Sequence, residues 1–114
     1  MSTEQLLADL DALDALFSDE SKWARGNYAR DAKGRPAFIG GAEAVAWCLV
    51  GGCIRITRLA ADKVSPLETA LCRTLDGRDY GSLAPFNDDD GRTFADIKNL
   101  ISSTRARIAQ EAAK

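Results

Sequence analysis

The feature that most constrains the fold is the apolar stretch from Ala42 to Ala61, in the middle of the 114-residue chain. Its larger apolar side chains would lie on nearly every side of a helix: Val45, Trp47, Leu49, Val50, Ile54, Ile56 and Leu59. A helix that is apolar all round is normally buried at the centre of its domain. Glu43 and two glycines interrupt the stretch, and a membrane span needs about 20 apolar residues. We therefore predict a central, buried helix over residues 42–61.

The beginning of the chain predicts an amphipathic helix over residues 3–17. Its apolar residues recur every three or four positions, a spacing that places them on one face of a helix. Ser2 and Gln5 fit a capping box, in which each side chain bonds the backbone N–H of the other residue. This helix can bury its apolar face against the central one.

Two more helices are predicted in the second half of the chain. Ser65 suits an N-cap and Pro66 suits the first helical position, so a helix begins there and runs to about Leu75. Residues 78–87 are predicted to form an irregular connection. The last helix begins near Thr93, after which apolar residues recur every three or four positions.

Between the first two helices, the segment YARDAKGRPAF predicts a small β-hairpin. Its strands would be Tyr28–Arg30 and Pro36–Phe38, joined by a turn at Asp31–Gly34. A hairpin of this size is marginal in water, so it would have to lie on the helices. The predicted fold is mainly α with a minor β element. About four helices are arranged around a buried central helix, with the hairpin between helices 1 and 2.

Length and composition predict one domain over residues 1–114. Apolar residues make up 46% and charged residues 28% of the chain, which is ordinary for a globular fold. Residues 1–2 and 110–114 are expected to fray. The acidic start of the chain lacks the basic region of a signal peptide, so we expect a cytoplasmic protein.

Cys48 and Cys53 flank the glycine pair Gly51-Gly52 within the apolar stretch. Residues five apart on one helix point about 140° apart, so these thiols would not converge on one ion. Cys72 adds only a third thiol, whereas a structural zinc site needs four ligands. We therefore predict buried structural thiols, no metal and no cofactor. Each glycine costs about 1 kcal/mol inside a helix, which predicts a close approach by another backbone, from the first or the last helix.

The chain contains no histidine, which excludes catalytic and zinc sites built on that residue. The segment FNDDDGR resembles a calcium loop but places Phe86 and Ile97 at the first and twelfth ligand positions. We predict instead that Asn87–Asp90 form a turn and place negative charge before a helix N-terminus. An enzyme that uses Cys48 with this loop is a weaker alternative, since no base is present to activate the thiol. The prediction is a protein that is not an enzyme.

Charge is distributed unevenly along the chain. Residues 1–20 carry six acids and no base, whereas residues 22–35 carry five bases and one acid. The candidate binding residues are the basic and aromatic side chains of the second segment: Lys22, Trp23, Arg25, Tyr28, Arg30, Lys33 and Arg35. We predict a module that binds another protein through this basic segment. Nucleic-acid binding by residues 22–35, with bases stacked on the aromatic rings, is the alternative. Association of identical chains is left open, and no membrane is expected because the net charge is only −2.

The order of four short segments gives a resemblance to a known family. Trp23 and Gly26 are followed by YARDAKGRP, then by AWCLVGG, then by FNDDDGRTFADIKNLI. This order is similar to an uncharacterised domain family of short bacterial and bacteriophage proteins. Its motifs are W-x-x-G-x-[YF]-A-x-D-x-x-G, [AV]-x-W-C-x-x-G-A and [WF]-N-D-x-x-G-R-T. The resemblance covers residues 5–108, with Gly52 where the family tends to have alanine. It implies a small helical domain and assigns no activity and no catalytic residue.

Overall fold

The computed structural model of the protein describes residues 2–59, 65–76 and 83–113. These residues form five α-helices: α1 (Thr3–Leu16), α2 (Leu49–Thr57), α3 (Pro66–Asp76), α4 (Leu83–Asp88) and α5 (Phe94–Ala112). They also form one turn of 3-10 helix and two short strands: Glu20–Lys22, β1 (Ala29–Arg30) and β2 (Ala46–Trp47). The prediction of a mainly helical fold with a small β element is confirmed. None of the helices in the described ranges is both long and apolar enough to cross a lipid bilayer.

The two terminal helices pack against each other, and buried side chains of both belong to the hydrophobic core. At the start of α1, the Ser2 hydroxyl accepts a hydrogen bond from the backbone N–H of Gln5 at 3.1 Å. Thr93 and Asp96 form the complete capping box at the start of α5. Lys98 Nζ on α5 lies 2.7 Å from Asp14 Oδ1 and also donates to the backbone carbonyl of Asp14. One lysine therefore ties the end of α1 to α5.

The central helix is much shorter than predicted, because α2 begins only at Leu49. The N-terminal part of the predicted helix is loop and strand, and its Ala46–Trp47 belongs to β2. A short buried strand and a buried helix follow each other in this stretch. Their apolar residues form one continuous run, which would be apolar on every side if all of it were helical. At its other end, α2 stops at Thr57, with Arg58 in the left-handed region at φ 60°. Residues 60–61 of the predicted helix lie outside the described residues.

The β element also differs from the predicted hairpin in its partner strand. The expected turn is present, because the backbone N–H of Gly34 donates to the carbonyl of Asp31 at 2.9 Å. Arg30 forms an isolated antiparallel bridge with Pro36, so the predicted pairing exists at one position. The regular strand pair is β1 with β2, in which Ala29 lies opposite Trp47. The connecting residues 31–45, here called the β1–β2 loop, contain the predicted turn.

The connection predicted over residues 78–87 contains a helix. Residues from Leu83 onward form α4, whose inner face carries the buried side chains of Leu83 and Asn87. The turn predicted at Asn87–Asp90 begins later, since the backbone N–H of Arg92 donates to the carbonyl of Asp89. Residues 78–82 lie outside the described residues. The sequence pattern does not reveal a helix as short as α4, because two buried positions four residues apart are too few to show a period.

The two glycines of α2 meet different neighbours, and neither neighbour is the predicted helix backbone. A Cβ atom at Gly51 would lie 1.9 Å from the backbone oxygen of Tyr28. A Cβ atom at Gly52 would lie 3.0 Å from side-chain atoms of Leu13 and Phe17 on α1. The close backbone approach therefore occurs at Gly51 and comes from the segment that enters β1. Gly52 faces only side chains, which can move by small rotations.

We predict that Gly51→Ala destabilises the protein by about 3 kcal/mol or more, because the overlap is with backbone that cannot move aside. Gly52→Ala is the matched control in the same helix. Its gain in helix propensity, about 1 kcal/mol, offsets the tight contact with Leu13 and Phe17, so its stability should stay close to that of the parent. Urea unfolding followed by circular dichroism measures both changes. Equal losses in the two variants would contradict the assignment of the backbone contact to Gly51.

Candidate binding surface

The buried amide of Asn87 connects three segments around the start of the basic region. Asn87 is fully buried, and its Oδ1 accepts from the indole N–H of Trp23 at 2.8 Å and from the backbone N–H of Leu49 at 3.0 Å. Its Nδ2 donates to the carbonyl of Ala24 at 3.0 Å and to Asp88 Oδ1 at 2.9 Å. Trp23 is thereby fixed to α4 and to the start of α2. Its indole N–H and one edge of its ring are not available to a partner.

Arg25, a predicted binding residue, also turns inward. Its guanidinium lies over the Trp23 ring at 4.6 Å, and its Nη2 donates to the backbone carbonyl of Arg92. Its Nε is buried and forms no hydrogen bond with the described residues. Arg92 in turn lies over the Phe86 ring at 3.7 Å and donates from Nε to the carbonyl of Phe86 at 2.7 Å. These two arginines join the Trp23 segment to the start of α5.

Arg30 is likewise occupied by contacts within the protein. Its Nη1 donates to the carbonyl of Gly34 and its Nη2 to the carbonyl of Arg25, both at 2.7 Å. Arg30 therefore closes the turn of the β1–β2 loop and holds the preceding segment beside it. Arg25 and Arg30, both candidate binding residues in the sequence, therefore bond the backbone of the protein itself.

Asp31 organises the turn from within the β1–β2 loop. Its Oδ1 accepts from the backbone N–H groups of Lys33 and Arg35, and its Oδ2 accepts from Arg35 Nε, all at 2.9 Å. The backbone N–H of Arg35 is the main reason that the pKa of Asp31 lies below its usual range. Lys33 and Arg35 are exposed, and the Arg35 side chain is 68% accessible despite this ion pair. They remain available to a partner.

Tyr28 and Phe38 are the large exposed aromatic residues of the segment. Tyr28 is 51% accessible, as the prediction required, while Phe38 is 87% accessible and was not among the predicted residues. The backbone of Phe38 is held in a turn, because its carbonyl accepts from the N–H of Gly41 at 3.0 Å. The sequence feature that could have indicated the exposure of Phe38 is its position between a proline and a glycine pair, where an aromatic ring has few large neighbours along the chain.

The residue after Phe38 anchors the loop to the core. The carbonyl of Ile39 accepts from the indole N–H of Trp47 at 3.1 Å and from Arg55 Nη1 at 3.3 Å. The Arg55 guanidinium also lies over the Trp47 ring at 5.5 Å. Phe38 is therefore displayed from a backbone that is bonded to β2 and α2.

A groove of about 460 Å³ brings three of the predicted binding residues together. Lys22, Trp23 and Arg30 line it, together with Asp31 and Val45. Lys22 is half-buried and has no ion pair with a described residue. The groove lies beside the β1–β2 loop, since Val45 donates its backbone N–H to the carbonyl of Arg30 at 2.9 Å. One side of the protein thus carries Lys22, Lys33 and Arg35 as basic groups.

The three thiols are buried and free, as the packing interpretation required. Cys48 is the N-cap of α2, and its sulfur accepts from the backbone N–H of Gly51 at 3.3 Å. Burial raises the pKa of the Cys48 thiol and raises that of Cys53 further. Among the described residues, no group of three or more acidic or sulfur ligands converges to hold a metal ion.

The comparison with protein families gives one match. The model of a family of unknown function, DUF6197, covers residues 1–107. The chain belongs to this family. The match covers nearly the whole described fold, from α1 through most of α5. No curated protein and no solved structure matches the chain.

We predict that Asn87→Ala destabilises the protein by about 2–4 kcal/mol, because it leaves buried donors and acceptors of three segments without partners. The matched control is Asn99→Ala, which changes an exposed asparagine on α5. Urea unfolding should show a change below about 0.5 kcal/mol for the control. Similar midpoints for the two variants would show that the Asn87 contacts contribute little.

We predict further that Arg30→Ala lowers stability by about 1–3 kcal/mol, since two charge-assisted hydrogen bonds to carbonyls are lost. Lys33→Ala, a change to a neighbouring exposed base, should leave stability within about 0.5 kcal/mol of the parent. Thermal unfolding of the two variants side by side measures the difference. An unchanged melting temperature for Arg30→Ala would mean that the arginine is a free surface group.

Proposed function

We propose that the protein is a non-enzymatic module that binds another protein, with Phe38 as the apolar anchor of its binding surface. The observation that carries the proposal is an aromatic side chain 87% exposed to solvent on a backbone that is hydrogen-bonded to the core. Aromatic residues, including phenylalanine, and arginine are enriched at the centre of protein–protein interfaces. The surface consists of Phe38, Tyr28, Lys33 and Arg35.

The rigidity of the β1–β2 loop supports this proposal. Asp31, Arg30 and the Ile39 carbonyl bond three successive parts of the loop to each other, to the preceding segment and to the core. A loop that already has its bound conformation loses less entropy when a partner docks. Phe38 can therefore enter a pocket of the partner without first being ordered.

The charges of the surface indicate the chemistry of the partner. Lys33 and Arg35 lie in the same loop as Phe38, and Lys22 lines the adjacent groove. Two acids of α1, Asp11 and Asp14, pair with Arg105 and Lys98 of α5 instead, while Arg35 pairs with Asp31 of its own loop. The expected partner presents an apolar pocket for Phe38, with carboxylates at its rim.

Several contacts weigh against the other two functions considered. Nucleic-acid binding requires free guanidinium groups and aromatic faces, whereas Trp23, Arg25 and Arg30 are engaged within the protein. An enzyme that uses Cys48 requires a thiolate, whereas burial raises the pKa of this thiol and so disfavours the thiolate. The resemblance to short bacterial and bacteriophage proteins supports a cytoplasmic accessory role as part of the proposal.

The experiment compares immobilised variants as baits in lysate of the organism that encodes the chain, with retained proteins identified by mass spectrometry. Phe38→Ser and the charge reversal Lys33→Glu should both lose the same retained protein, while Phe38→Leu should keep it. With that partner purified, calorimetry should show a loss of about 2 kcal/mol or more for Phe38→Ser. All three changes are at exposed positions, so melting temperatures should match the parent.

The matched control for charge is the double variant Ser102→Glu/Ser103→Glu on the exposed face of α5, which lowers the net charge by the same two units as Lys33→Glu. It should retain the partner. Loss of capture after nuclease treatment would favour nucleic acid as the ligand. A dimer of the chain that dissociates on Phe38→Ser would identify a second copy as the occupant. Either result would overturn the proposed partner class.

A further inference from the structure

A second groove lies where α2 and α4 meet the segment that leads into β1. It has a volume of about 370 Å³ and is lined by Gly26, Asn27, Tyr28, Cys48, Ala84 and Asp88. None of these residues except Tyr28 belongs to the surface proposed above. We propose that this groove, here called the Tyr28–Asp88 groove, binds a small organic cation, an ammonium or guanidinium group on a short alkyl stem.

The carboxylate of Asp88 supplies the charge that such a ligand requires. The two hydrogen bonds that it accepts from described residues both end on Oδ1, from the backbone N–H of Gly26 at 3.1 Å and from Asn87 Nδ2 at 2.9 Å. No described residue donates to Oδ2, and no described lysine or arginine forms an ion pair with Asp88. The carboxylate is therefore held in one orientation with one oxygen available.

The arginines near Asp88 are directed elsewhere. Arg92 lies over the Phe86 ring and donates to the carbonyl of Phe86. Arg25 lies over Trp23 and donates to the carbonyl of Arg92. Neither of these two guanidinium groups pairs with Asp88, so neither competes with a cation that enters from outside the protein.

The remaining walls suit an alkyl stem and a cation. Tyr28 presents a half-exposed ring, and a cation over such a ring is attracted by its negative face. The backbone of Tyr28 is held in place, because its carbonyl accepts from the backbone N–H of Cys48 at 3.3 Å and packs on Gly51. Cys48 and Ala84 provide a small apolar floor.

The N-terminus of α2 also borders the groove, and a free helix N-terminus would favour an anion. Here two of its first three donors are already used. The backbone N–H of Leu49 donates to Asn87 Oδ1, and that of Gly51 donates to the sulfur of Cys48. Among the described residues that line the groove, Asp88 is the charged one. The guanidinium of Arg30 lies close to Gly26 but donates to the carbonyls of Arg25 and Gly34. A volume of about 370 Å³ lies near the lower end of the usual range for ligand pockets, which indicates a small ligand.

The test is a titration of the ¹⁵N-labelled full chain with n-butylammonium chloride, followed by amide chemical shifts at constant ionic strength. The expected result is saturable shifts at Gly26, Asn27 and Ala84. The uncharged analogue n-butanol should produce clearly weaker binding at the same amides. Equal binding of the two compounds would overturn the proposal, because it would show that the carboxylate contributes nothing. Shifts that increase linearly without saturation would overturn it as well.

Two variants separate the carboxylate from the ring. Asp88→Asn keeps the Oδ1 acceptor for Gly26 and Asn87 but removes the charge, and should weaken binding about fivefold or more. Tyr28→Leu keeps the backbone contacts and should weaken it about two- to fivefold. The matched control is Asp90→Asn, an exposed carboxylate that does not line the groove, and it should bind as the parent does. Parental affinity in Asp88→Asn, with dispersed amide signals that show a folded chain, would refute the assignment.

Discussion

The buried side chain of Asn87 makes the interaction on which the arrangement of the rest depends. A primary amide has two donors and two acceptor positions, and burial makes each unpaired one costly. At Asn87 the partners come from the Trp23–Ala24 segment, from the start of α2 and from the next residue of α4. One side chain therefore fixes where α2 begins, where the chain enters β1 and how α4 faces both.

The arginines complete this arrangement in a way that their charge alone does not suggest. Arg25, Arg30 and Arg92 each donate to a backbone carbonyl, and two of them also lie over aromatic rings. A guanidinium has five donors and a flat face, so it can bond loop carbonyls that no regular structure satisfies. In a protein with little sheet, these residues replace part of the backbone pairing that would otherwise hold the loops. The basic character of residues 22–35 is thus largely a structural property.

Two surfaces carry exposed charged and aromatic side chains. Phe38, Lys33 and Arg35 are displayed on the β1–β2 loop, whose backbone is bonded to Trp47 and Arg55 through the Ile39 carbonyl. Asp88 and Tyr28 border a groove, and Oδ1 of Asp88 accepts from Asn87 Nδ2. The first surface is basic and apolar, and the second is acidic and partly aromatic. The function of the family is unknown, so membership assigns no activity to either surface. Both proposals therefore rest on these side chains alone.

Local sequence patterns were sufficient for the parts of the fold that local interactions stabilise. The apolar periodicity and caps of α1 and α5 predicted both helices, because a capping side chain and a one-sided apolar face lie within a few residues of each other. The burial of the thiols also followed from their apolar surroundings. Among the candidate binding residues, Tyr28, Lys33 and Arg35 are exposed, and Lys33 and Arg35 lie in or next to the turn at Asp31–Gly34.

Only the tertiary structure decided where α2 begins, which strand pairs with β1 and which arginines are free. At the start of α2, Cys48 caps the helix locally, but the N–H of Leu49 is accepted by Asn87, 38 residues later, and no local signal marks that contact. Ala46–Trp47 form a strand because β1 offers them a partner, although their apolar pattern alone also fits a helix. Arg30 and Lys33 are both bases in one polar segment, and their roles differ only because the carbonyls of Arg25 and Gly34 lie within reach of Arg30. The sequence by itself determined the helical class and the chemical groups available, while the contacts between distant segments determined which of those groups are exposed.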